Sequence, residues 1–268
     1  MELVPLNSKE IVKLAHYFTE YFQQRIWRLG FHEQPNTPLE GAGSATVKRV
    51  FWPLVEVEKS HKVLCLGACG IHMGYFLSNR FACWVTAFCD GEGIEEASFR
   101  KMTQGGRPKK MMMKRSSLTS LPHQSGSFDA VISHETLGFF DDKERVLRPI
   151  ACVFKPKSRW LLTFLFLYQN TVGAATHSTP NMLLIPPSRT RQSIQLIANS
   201  YLAQVLNMDM MAHLAQHYKS LSQFVDNEKG RADKILIKQL LGKFNNWLQT
   251  CYSTGLGWGM FLFQKSNV

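Results

Sequence analysis

The stretch from His61 to Gly74 (HKVLCLGACGIHMG) does most to limit what this chain can fold into. An apolar run, Val63–Leu66, passes directly into Gly67, Cys69 and Gly70, and a helix is expected a few residues later, near Met73. A strand that runs through a glycine turn into a helix presents backbone N–H groups to a nucleotide-like ligand. Loose Gly-x-x-Gly strings are common, so the turn takes its meaning from two segments downstream of it. Asp90 stands after the next apolar segment, and residues 127–133 (SFDAVIS) form a further strand-like run. Both lie at the distances such a site requires.

The central region alternates strand and helix. Val63–Leu66, Trp84–Cys89, Met111–Arg115, Phe128–Ser133 and Trp160–Leu167 read as strands. Helices are expected over Met73–Asn79, Gly93–Met102 and Asp141–Val153, and Lys155–Ser158 reads as a turn. Asp141 at the start of the third of these helices, with Arg145 and Arg148 further along, suits a helix dipole. Continuous apolar strands between helices indicate a parallel sheet covered on both faces. Upstream, Ser8 can cap a helix over residues 8–28, and Ala42–Leu54 reads as a second helix closing at Trp52 and Pro53.

Downstream, residues 169–188 look irregular and 188–199 helical. Tyr201–Met211 holds a strand in this reading, Leu214–Val225 and Ala232–Cys251 are helical, and Leu256–Lys265 is a final strand. A last strand laid down after helices suits a sheet that closes with an antiparallel pair. The expected organisation is an N-terminal helical cap over residues 1–60 and one α/β domain over 61–268, with a helical insertion at about 169–250.

Composition excludes several classes. With 268 residues and 45% apolar content, the chain can bury a large core, which excludes global disorder. The N-terminus lacks the basic start and apolar region of a signal peptide. The most apolar run, Trp160–Tyr168, falls far short of the roughly 20 residues a membrane helix needs. A soluble, cytoplasmic protein is the expectation. The six cysteines sit mostly in apolar segments, and Cys65, Cys69 and His72 lack the second pair of a zinc pattern, so no metal is expected. The net charge of +11 admits a nucleic-acid partner or an anionic substrate. Its densest run, Arg107–Arg115, follows two glycines and carries no RNA-binding signature, so a solvated loop is the simpler account.

Together these segments resemble class I S-adenosylmethionine-dependent methyltransferases over roughly residues 61–167. His61–Gly74 is similar to the first motif, Val85–Asp90 to the second strand with its ribose-binding acid, and Ser117–Pro122 to the adenine-side loop. Residues 127–133 are similar to the fourth strand, and 145–157 to the helix and turn before strand five. A narrower likeness, to sarcosine/dimethylglycine-type amine methyltransferases, rests on residues 21–31 (YFQQRIWRLGF), on His217 and Tyr218, and on the closing strand 256–265 (LGWGMFLFQK).

The resemblance implies a Rossmann-like seven-stranded, mostly parallel sheet with helices on both faces and an antiparallel last strand. It implies methyl transfer from S-adenosylmethionine to a small molecule, with an amine nitrogen as acceptor. Gly67, Ala68, Gly70, Asp90, Ser117, Leu118, Ser133 and His134 would hold the cofactor, and His134 and Glu135 are the candidate catalytic groups. Tyr17, Tyr21 and Trp27 on the first helix could wall the acceptor, since aromatic faces suit a methylated ammonium. The chain departs from the family pattern at several points. Cys65 replaces an acid, Cys69 and Ile71 or His72 disturb the glycine spacing, and Ser117 replaces an Asp. Cys89 fills one of two places for the ribose acid, and Phe139 stands where phosphobase enzymes have His. A binding or regulatory protein that keeps only the fold, and an RNA methyltransferase, are the alternatives these residues leave open.

Overall fold

The computed structural model describes residues 52–89, 110–134, 136, 143–167, 202–209 and 256–265, together with scattered helical positions between 212 and 242. The elements in chain order are α1 (Trp52–Val55), β1 (Lys62–Leu66), α2 (Ala68–Phe81), β2 (Trp84–Cys89), β3 (Met111–Arg115) and β4 (Phe128–His134). They continue with α3 (Lys143–Cys152), β5 (Phe154–Leu167), β6 (Leu202–Asp209) and β7 (Leu256–Lys265). The seven strands form one sheet of order β3-β2-β1-β4-β5-β7-β6. Strands β1 to β5 pair in parallel, and β7 runs antiparallel to both β5 and β6. This is the Rossmann-like sheet with an antiparallel last strand that the sequence implies.

Side chains alternate along each strand, so the two sheet faces can be read off the contacts. Helix α2 lies on the face of Cys65, Val85 and Met111: a Cβ on its Gly74 would sit 2.8 Å from Val85 Cγ1 and 3.1 Å from Met111 Cε. On the opposite face Leu64, Leu66, Phe88 and Val131 form a buried cluster with Val146, Leu147 and Ile150 of α3. Val63 to Leu66 are wholly buried, which is why this strand is apolar at every position rather than at every second one.

Three expectations need correction. Helix α2 begins at Ala68, five residues before the expected start, because Gly67 itself makes the turn into it. Residues 155–158 are not a turn between elements but an excursion inside β5. Between Phe128 and Ala130 on β4 the register on β5 advances from Phe154 to Arg159, with Lys157 at φ 64°. Ser158 Oγ closes the excursion on Lys155 O, and Gln264 Nε2 of β7 donates to Lys157 O. Finally, α3 has no basic residue in its last turn and carries Pro149 there, so burial of its apolar face rather than the dipole accounts for it. The described positions between 216 and 223 and between 235 and 242 are helical, as expected, and helical positions at 212, 213, 226 and 227 lie just beyond the expected bounds of the first of those helices. The helix over residues 8–28 of the expected cap, the start of the Ala42–Leu54 helix, the helix over 93–102 and the segments 169–188 and 188–199 lie outside the described residues.

The N-terminal end of the sheet is tied by charge. Asp129 accepts the Lys62 N–H at 2.8 Å and the Lys155 ammonium at 2.7 Å, joining β4 to the start of β1 and to the β5 excursion. Burial raises its carboxyl pKa, but the Lys155 hydrogen bond, the Lys62 N–H and the charges of Lys155 and His61 outweigh this and lower it. A carboxylate with a depressed folded-state pKa contributes stability above its unfolded value, and that stability is lost as pH falls through the folded value. Urea unfolding of Asp129→Asn should therefore show a loss of about 1 kcal/mol at neutral pH that vanishes in acid, once the carboxyl of the unsubstituted protein is protonated in the folded state. A deficit that persists unchanged into acid would show that the charge is not what matters.

Candidate active site

The strand order changes direction between β1 and β4, with β2 and β3 on one side of β1, and β4 and β5 on the other. In an open parallel sheet the ligand crevice forms at this point, outside the carboxyl ends of the strands. Its walls here are Leu66 and Gly67, leaving β1, and Ser133 and His134, ending β4; Leu66 and Ser133 are in register.

Gly67 has φ 77° and ψ −179°, a region almost confined to glycine. A Cβ there would fall 2.4 Å from Thr136 Oγ1. The Gly67 N–H donates to Phe88 O at 2.9 Å, tying the turn to β2, and the Gly70 N–H donates back to Gly67 O at 2.9 Å. Gly70 serves a different purpose. A Cβ on it would stand 2.8 Å from the carbonyl carbon of Cys65, so only glycine lets α2 approach the strand this closely.

Thr136, just beyond β4, donates its hydroxyl to Leu66 O at 2.9 Å, and this bond is buried. The loop after β4 is thereby fastened to the end of β1 at the mouth of the crevice. Sequence reasoning does not single out Thr136. A β-branched hydroxyl two residues past a strand is a visible signal, but it acquires a partner only once β4 is known to lie beside β1.

Among the described residues the electrostatics of the site are mostly neutral. Cys65 is wholly buried beneath α2; burial pushes its thiol pKa far up, and Cys83 adds in the same direction, so it carries no charge at neutral pH. Burial also raises the Cys83 thiol, to about 11. Ser133 is 1% exposed, and its Oγ has no hydrogen-bond partner among the described residues. A buried hydroxyl without a partner costs about 1–3 kcal/mol, which a ligand group at this position would recover. Ser117 is exposed, and its hydroxyl is engaged in a local turn, 2.8 Å from Thr119 Oγ1 and accepting the Thr119 N–H. Leu118 is fully buried in the cluster of Leu66 and Phe88, where it anchors the loop to the core.

Gly67, Gly70 and Ser133 thus come together at one crevice, with the backbone of Ala68 opening α2 and that of His134 closing β4. Ser117 and Leu118 follow β3, two strands away in the sheet from β4's neighbour β1. Asp90, Glu135, Tyr17, Tyr21 and Trp27 lie outside the described residues. No cluster of metal-ligating side chains occurs among the described residues. No described helix is long and apolar enough to cross a membrane.

A methyltransferase-domain family profile matches residues 68–162, from the first turn of α2 into β5. The chain is 21% identical over 264 residues to a sarcosine/dimethylglycine N-methyltransferase of Halorhodospira halochloris, covering 91% of each. In architecture it is similar to a protein of Galdieria sulphuraria assigned to the sarcosine dimethylglycine methyltransferases. That likeness has a TM-score of 0.78 at 18% identity, over 95% of this chain and 99% of the other. It is also similar to a cyclopropane synthase of Mycobacterium tuberculosis, with a TM-score of 0.74 at 12% identity, over 98% of this chain and 100% of the other. The shared fold is common to enzymes with dissimilar acceptors, so the architecture does not choose the acceptor.

Gly67→Ala should destabilise the protein by about 2 kcal/mol, from the strained backbone and the overlap with Thr136. Thr136→Val keeps the shape and removes the bond to Leu66 O, for a loss of about 1 kcal/mol. In a double-mutant cycle by chemical denaturation, Gly67→Ala with Thr136→Gly should couple favourably, since the second change vacates the space that the first needs. Additive losses would show that the two residues are not in contact.

Proposed function

We propose that this chain, a class I S-adenosylmethionine-dependent methyltransferase, methylates an amine nitrogen of a small molecule. The single observation that carries the acceptor class is the likeness to a sarcosine/dimethylglycine N-methyltransferase, sustained over 91% of both chains. The crevice fits the cofactor in two respects. Gly67 makes the tight turn from β1 into α2 at the point where the strand order reverses, and the Ser133 hydroxyl lies there without a protein partner among the described residues. It departs chiefly where Cys65 offers a neutral thiol, and Ser117 a hydroxyl, in the places of acids in the family pattern.

The cofactor, when bound, supplies a methyl group on a sulfonium sulfur that is already activated toward an in-line nucleophile. What remains for the chain is to bind, to align and to exclude water. In this reading the main chain at Gly67, Ala68 and Gly70 faces the methionine portion, and Ser133 Oγ hydrogen-bonds its polar end. Asp90 accepts the ribose hydroxyls, while Ser117 and Leu118 border the adenine, Leu118 by fixing the loop from within the core.

The acceptor nitrogen must arrive with its lone pair free, so a proton has to leave it before or during transfer. In this reading His134 and Glu135 take that proton. In the same reading Tyr17, Tyr21 and Trp27 supply aromatic faces that attract the ammonium as methylation proceeds. These faces also keep water from the sulfonium.

Calorimetric titration with S-adenosylmethionine tests the cofactor half of the reading, and methyl transfer to sarcosine and dimethylglycine tests the acceptor half. Saturable binding at sub-millimolar cofactor and turnover of at least one amine are expected. Ser133→Ala is diagnostic. An unpartnered buried hydroxyl is replaced at no cost to the unliganded protein, so its melting temperature should hold or rise, while cofactor affinity falls about tenfold through one lost hydrogen bond. Unchanged affinity in this variant would remove Ser133 from the site. Absence of any binding heat at millimolar cofactor would overturn the function.

A further inference from the structure

The described surface holds a second concavity, at the opposite end of the sheet from the crevice. A groove of about 620 Å³ is lined by Lys62, Trp84, Lys110, Met112, His123 and Phe128, among others. Lys62, Trp84 and Phe128 are the first residues of β1, β2 and β4, and Lys110 directly precedes β3. The strands that separate this groove from the crevice are about 13 Å long or more. Methyl transfer at the crevice uses none of these side chains.

The groove combines features that ordinary surface packing does not call for. Trp84 is 51% exposed and Met112 44%, although both sit within the sheet on adjacent strands. Large apolar side chains exposed together mark an interaction site more often than a solvated surface. The Lys110 ammonium lies 5.4 Å from the centre of the Trp84 ring, which fixes a positive charge beside an aromatic face. Lys62, in register with Trp84, places a second ammonium-bearing side chain on the same wall.

His123 adds a directional group. Its ring is held edge-on between Phe88 and Phe128, with centroids 5.3 and 4.9 Å away. Its Nε2 is buried and has no hydrogen-bond partner among the described residues. Burial, and then the charge of Lys114, lower the imidazole pKa, so at neutral pH the ring is uncharged and offers one donor and one acceptor. A buried polar nitrogen left without a partner is the same kind of vacancy that Ser133 presents in the crevice.

From this juxtaposition we propose that the groove is a second binding site, for a planar ring carrying a phosphate or comparable anion, of the size of one nucleotide. The aromatic and thioether surfaces of Trp84 and Met112 take the ring, Lys62 and Lys110 take the anion, and His123 Nε2 meets a polar atom on the ring edge. Stacking on an aromatic side chain together with cationic groups is the arrangement by which single nucleotides are held. The same chemistry could belong to a free nucleotide or to one unit of a single-stranded RNA. The +11 charge of the chain, which methyl transfer to an amine does not require, favours an anionic ligand in either case.

The test uses the full chain and two probes, uridine 5′-monophosphate and a uridylate decamer, titrated calorimetrically with and without excess S-adenosylhomocysteine. Saturable binding of at least one probe is expected, undiminished by S-adenosylhomocysteine. Lys110→Glu and Trp84→Ala should each weaken it about tenfold, equivalent to one charge-assisted or stacking contact, without lowering the melting temperature of the protein materially. Binding of the mononucleotide identifies a free-nucleotide site; binding of the decamer alone, falling steeply with salt, identifies an RNA-contacting one. No saturable binding of either probe at millimolar concentration overturns the proposal. So does binding that S-adenosylhomocysteine displaces, or that both variants leave unchanged.

Discussion

One buried hydrogen bond, from the Thr136 hydroxyl to the carbonyl of Leu66, fixes the relation between the two halves of the sheet at the crevice. The Leu66 carbonyl lies where β1 gives way to the glycine turn. A buried carbonyl left unpaired there would cost about 1–3 kcal/mol. The bond works only because Gly67 has no Cβ, since the space a methyl would need is where Thr136 Oγ1 sits. The glycine is therefore required twice: once for its backbone angle, and once for the neighbour it admits.

The two ends of the sheet are built on different terms. At the N-terminal end, charged side chains close against main chain: Asp129 on Lys62 N–H, Lys265 on Phe154 O, and Arg159 on Leu54 O and the Glu56 carboxylate. These contacts join α1, β1, β4, β5 and β7 without any ligand. At the C-terminal end the polar group is left open, because Ser133 Oγ is buried and unsatisfied among the described residues. In the proposed reading the rigid support and the ligand lie at opposite ends of the same strands. Two groups depart from this division: His123 Nε2, beside the groove, and Ser78 Oγ, near the C-terminal end of α2, are also buried without a hydrogen-bond partner among the described residues.

The strands are the most legible part of the chain. Trp84–Cys89, Met111–Arg115 and Leu256–Lys265 have the same bounds in sequence and structure, because continuous apolar or β-branched runs leave little choice of period. The start of α2 is harder to read, since Ala68, Cys69, Gly70 and Ile71 show no helical periodicity before Met73. What makes them helical is the close fit against β1 that Gly70 permits. Lys155–Ser158 reads as a turn because Pro156 and polar residues interrupt the apolar pattern, yet β7 pairs with the rest of β5 and absorbs the excursion into one strand. In the crevice, Gly67, Gly70 and Ser133 can be found by position alone. Thr136 cannot, because its partner is 70 residues away and becomes adjacent only through the β1–β4 pairing.

Among the described residues of the crevice, Cys65 is neutral where the family pattern has an acid. A carboxylate at that position would have to be accommodated with no exposed surface, beneath the point where α2 touches β1. Ionised carboxylates are buried only when hydrogen bonds or a paired cation offset the lost hydration. Related enzymes recover that cost when the cofactor's positive groups arrive; a thiol avoids the cost and forgoes the attraction. In the proposed reading the cofactor is held instead by the main chain at the turn, the Ser133 hydroxyl and Asp90. Such contacts depend on shape more than on charge. The accuracy of the Gly67 turn, and of the Thr136 bond that locks it, thus matters more in this chain than it would beside a charged residue at position 65.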